Sequence, residues 1–86
     1  MTFKLIVAGG RDFKDYGLLE QAVIRYVISR DVPWSKITII SGGAIRNAEM
    51  AKHSDGLIAF YNGSNGTANM IQTARRKKLD VEVIRY

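Results

Sequence analysis

The chain has 86 residues, 47% of them hydrophobic, which suffices for one small core and leaves no room for a second domain. It carries no cysteine and a single histidine, which excludes disulfides and thiolate chemistry and argues against a zinc site. The formal charge of +5 favours an anionic partner without naming one, and with no membrane-length apolar run and no signal-peptide pattern the expectation is a cytoplasmic protein without membrane contact.

The first element is a strand over residues 3–8, carried by Phe3, Leu5, Ile6, Val7 and Ala8 and followed by the turn Gly9, Gly10, Arg11, Asp12. A helix follows, because Leu18, Leu19, Ala22, Val23, Tyr26 and Val27 recur at helical spacing behind Asp15 as N-cap. The segment 30–35 contains Pro33 and ends that helix. Next come a second strand over 37–40, the turn Ser41, Gly42, Gly43, and Ile45, Ala48 and Ala51 at helical spacing. Residues 57–61 are a continuous apolar run, the pattern of a strand buried on both faces. That run ends in Gly63, Ser64, Asn65, Gly66 and Thr67, ahead of a third helix marked by Ala68, Ile71 and Ala74. The last strand, 81–85, is interrupted by Glu82 and Arg85 and is therefore expected at an edge.

Strand, glycine turn and helix repeated in this way predict one α/β domain over residues 1–86: a four-stranded parallel sheet of order 2-1-3-4 with crossover helices. All three glycine turns then emerge at the carboxyl edge, and the switch point between strands 1 and 3 brings the 9–12 and 63–67 turns together. Glycine-rich turns that open helices suit phosphate, through backbone N–H groups and the helix dipole. The 63–67 turn has neither the lysine nor the spacing of a P-loop, and Gly9-Gly10 is not a full dinucleotide fingerprint.

Among individual residues, Arg46 can grip phosphate bidentately, Arg11 resembles it but is flanked by Asp12, and Glu49 can accept from a ribose hydroxyl or act as a general acid or base. Asp12 and Asp55 read as turn or capping residues, Tyr16 and Tyr61 as core with stacking on a base as the alternative, and His53 as a charge suited to a helix end. Arg75, Arg76, Lys77 and Lys78 suit the negative end of a helix dipole, and without interleaved aromatics they argue against a nucleic-acid site.

V-A-G-G-R-D-F at 7–13, S-G-G-A at 41–44, I-R-N-A-E-M at 45–50 and G-T-A-N-M-I at 66–71 occur in order over nearly the whole chain. In these motifs the sequence resembles the small Rossmann-like SLOG proteins of the YspA type. The resemblance implies a minimal three-layer Rossmann-like fold and a nucleotide-like ligand at the glycine turns. The implied ligand set adds Asn47 and Asn69 to the residues above. The superfamily includes the phosphoribohydrolases known as LOG, DNA-processing proteins, and sensors of nucleotide-derived signals in defence systems. Relatives have about thirty more residues, on the order of one αβ unit, where Ala44 here runs into Ile45. LOG enzymes pair an arginine with a glutamate after a G-G-x-G-T turn; Arg46 matches the arginine, whereas Asn69 and Met70 stand in the glutamate's region.

The expectation is therefore a protein that senses or sequesters a nucleotide or nucleotide-derived ligand, such as a cyclic nucleotide or an ADP-ribose-type signal taken up by a phage-encoded protein, with no cofactor and no metal. An N-glycosidic hydrolase using Arg46 and Glu49 is the alternative, and a nucleic-acid binder the third. Loss of the αβ unit beside strand 2 leaves an unshielded apolar edge, which predicts a homo-oligomer, most simply a two-fold dimer.

Overall fold

The computed structural model describes residues 2–9, 13–41 and 54–86. The third predicted helix, with Ile45, Ala48 and Ala51, lies outside them. Four strands, β1 (Phe3–Gly9), β2 (Ile37–Ser41), β3 (Gly56–Tyr61) and β4 (Asp80–Arg85), form one all-parallel sheet in the order β2-β1-β3-β4. Helix α1 (Tyr16–Ser29) and helix α2 (Asn65–Arg76) lie on opposite faces, and a short 3-10 turn, Trp34–Lys36, leads into β2. The architecture is the expected one, with β1 and β3 central and β4 at an edge.

The two-residue period of a strand divides the core. Leu5, Ile58 and Phe60 pack under α1 with Ala22, Val23, Tyr26 and Val27. Their sequence neighbours Ile6, Leu57 and Ala59 pack under α2 with Met70, Ile71 and Ala74. Both faces of the central strands are thus buried, which is why they read as unbroken apolar runs. Each fully buried aliphatic side chain contributes roughly 1.5–3 kcal/mol.

Local chemistry sets the helix ends. The Asp15 carboxylate accepts from the Leu18 N–H at 3.0 Å, the expected N-cap. Proline does not stop α1. The chain reverses at Asp31, with φ of 55°, where the Asp31 N–H donates to the Ile28 carbonyl and the Val32 N–H to that of Val27. Helix α2 ends in the same way at Lys78, with φ of 61°, through Lys78 N–H to Arg75 and Leu79 N–H to Ala74. Both are Schellman ends built on a residue other than glycine.

At the amino edge of the sheet, a clasp ties α1 to β4. The Tyr26 hydroxyl donates to the Asp80 carbonyl at 2.8 Å. Arg30 donates to both Asp80 carboxylate oxygens, at 2.6 and 3.0 Å, and its guanidinium lies 3.8 Å from the Tyr26 ring centre. Asp55 also works at this edge, accepting from the Lys4 N–H at 2.8 Å. It is the turn residue the sequence suggests.

Candidate functional site

In a parallel sheet the carboxyl end of every strand lies on one edge, and here β1 and β3 are neighbours with Gly9 in register with Phe60. From β1 the chain goes through α1 to β2, and from β3 through α2 to β4 on the opposite face. The two connections diverge at this switch point, the position at which open α/β sheets take ligands. Gly9 and Gly63 flank it from the ends of adjacent strands. Gly63 has φ of 103°, a conformation other residues adopt only with strain, so a side chain there would disturb the turn.

Helix α2 begins earlier than the apolar spacing suggests, with Ser64 as N-cap, so Asn65, Gly66 and Thr67 form its first turn. Thr67 is 5% exposed, and its hydroxyl accepts from Ser64 at 2.8 Å. Its hydroxyl thus faces Ser64 within the first turn of α2. Asn69 lies a turn further along, where its carbonyl accepts from the Thr73 hydroxyl at 2.8 Å. Ser41 closes β2 and thereby reaches the same edge. Gly10, Arg11, Asp12, Gly42, Gly43, Arg46, Asn47, Glu49 and His53 lie outside the described residues.

The two helix N-termini at this edge differ electrostatically. That of α1 is capped by the Asp15 carboxylate, which already satisfies the dipole with a negative charge. That of α2 is capped by neutral Ser64, whose hydroxyl turns to Thr67 and makes no bond to the backbone. An anion is therefore better accommodated at α2 than at α1.

Several residues at this edge were not singled out from the sequence. Arg85 ends β4 beside Tyr61, its guanidinium 5.8 Å from that ring centre. Phe13 stacks on Phe60 at 4.3 Å and meets Tyr86 edge-on at 4.8 Å. Tyr86 remains 45% exposed. The signal was available, since the last residues of a fourth parallel strand reach the same edge as the glycine turns. Tyr61 packs against the α2 side of the core as expected. Tyr16 does not: it is 73% exposed at the start of α1.

The Arg75, Arg76, Lys77 and Lys78 group lies at the other end of α2, exposed, where positive charge complements the dipole. Among the described residues no group of three or more His, Asp or Glu side chains could hold a metal ion, and no helix is long and apolar enough to cross a membrane. Asp15 is the one described carboxylate within the carboxyl-edge turns, and it is committed to its helix. What the described edge offers is the N-terminus of α2, one guanidinium and aromatic surface, a set suited to holding an anion with a planar group attached. The chain matched no protein-family model, no curated protein and no solved structure.

Proposed function

We propose that this protein binds a nucleotide or nucleotide-derived ligand at the carboxyl edge of its sheet, in the cytoplasm, as a sensor or sequestering protein. The observation that carries the reading is the adjacency of β1 and β3, which sets Gly9 and Gly63 on either side of the switch point. Three features support it. The N-terminus of α2 lacks an anionic cap, Arg85 supplies positive charge, and Tyr86 with Phe13 supplies aromatic surface on which a base can stack. The motif resemblance to SLOG proteins of the YspA type supports the same ligand class, with Arg46 as a phosphate contact. The proposal includes self-association into a homo-oligomer.

Calorimetry and thermal shift against mono-, di- and cyclic nucleotides and ADP-ribose test the reading. A true ligand raises the melting temperature, since it binds the folded state alone. Arg46→Ala and Arg85→Ala should each weaken binding. Silence across the whole panel would remove the reading. Glu49→Gln should leave binding largely intact; free base released by the wild type and lost in Glu49→Gln would favour N-glycosidic hydrolysis instead.

A further inference from the structure

The two edges of the sheet differ in kind. Within six residues β4 carries Asp80, Glu82 and Arg85, and charged side chains are the usual means of preventing strand addition at an edge. Strand β2 reads Ile-Thr-Ile-Ile-Ser, with no charge, proline or glycine, in a chain whose overall charge is +5. Among the described residues no strand pairs with its outer side. Ile39 is 49% exposed although its register partner Leu5 is fully buried. A β-branched, neutral, unguarded strand is a template for pairing with another strand of the same character.

We infer that β2 is the two-fold interface of a homodimer, in which two copies pair antiparallel along their β2 edges and join their sheets into one of eight strands. This rests on the self-association included in the functional reading and is independent of the ligand. A two-fold axis at residue 39 sets Ile39 against Ile39 of the partner subunit, Thr38 against Ile40 and Ile37 against Ser41, so apolar residues meet at the centre. Charge selects this direction over the parallel one. Parallel pairing would place the two Lys36 side chains side by side, whereas antiparallel pairing separates them by roughly 20 Å at about 3.3 Å per residue. That exceeds a Debye length of about 8 Å, so their repulsion is screened.

Light scattering and sedimentation of the full chain at micromolar concentration should give twice the 9.6 kDa chain mass. Ile39→Lys brings two like charges together on the axis and should weaken the dimer by more than about a hundredfold. Ile28→Lys, at an exposed position of α1, should leave it intact. Should Ile39→Lys fail to fold, Ile39→Cys decides the question, because the chain has no other thiol and residues facing each other across the axis have Cβ atoms about 4.5–5.5 Å apart. With copper–phenanthroline as oxidant, Ile39→Cys should form a disulfide-linked dimer and Lys36→Cys should not. A monomeric wild type, an undiminished Ile39→Lys dimer, or equal cross-linking of both cysteine variants would overturn the inference. None of these outcomes bears on the nucleotide panel, and a silent panel leaves the dimer standing.

Discussion

Gly56 opens β3 under the Tyr26 ring, and a Cβ at that position would collide with the Tyr26 hydroxyl. Gly56→Ala should therefore cost about 2 kcal/mol or more in denaturant unfolding, through overpacking and loss of the Tyr26–Asp80 bond. Tyr26→Phe alone should cost about 1 kcal/mol. In the Tyr26→Phe background the added methyl should cost less, a non-additivity that additive costs would refute. The opposite effect is expected at Lys78, which holds a left-handed conformation that glycine adopts without strain. Lys78→Gly should stabilise by about 0.5–1 kcal/mol, and Asp31→Gly similarly, read as a higher denaturation midpoint. At this scale the sequence was legible where a residue acts on its own neighbours. Asp15 and Asp55 did what their positions suggested. It was illegible where the partner is remote: nothing near Tyr26 announces a carbonyl that lies 54 positions along the chain.

The elements themselves were readable because each strand is a compact apolar run and each described helix keeps one apolar stripe. Boundaries were less so: α2 starts at Asn65 behind Ser64, earlier than the apolar spacing from Ala68 suggests, and takes in Gly66 and Thr67. The joint between α1 and β4 gives a prediction about pH. Hydrogen bonds from Arg30 hold the Asp80 carboxyl below its ordinary range, outweighing the opposing effect of burial. A depressed carboxylate contributes stability that is present above its unfolded value near 4 and is lost as pH falls through the lower folded value. Asp80→Asn should therefore reduce the midpoint at neutral pH and flatten the acid limb below about pH 4. Tyr26 has the reverse sign. Burial first, and then the Asp80 charge, raises its pKa, so its contribution persists below its unfolded value near 10 and fails only in strong alkali, which difference absorbance of the phenolate would reveal.

For the molecule as a whole, sheet order and the converging edge followed from the repeated strand, turn and helix and the right-handed crossover rule. The contribution of β4 to the site did not follow, because Arg85 in a short edge strand looks like a solubility device until its register with Tyr61 is known. The same strand has a consequence for how the protein comes into being. Ile84 of the α1 core layer and the anchor for Tyr26 and Arg30 are delivered by residues 80–85, after the rest of the sheet has been synthesised. A nascent chain on the ribosome can bring β1 and β3 together but cannot close this layer until that strand has left the exit tunnel, so the final cooperative step belongs after its emergence. Stalled chains ending at residue 78 should be protease-sensitive, and chains extended by a linker long enough to free residues 80–85 should become resistant in a single step.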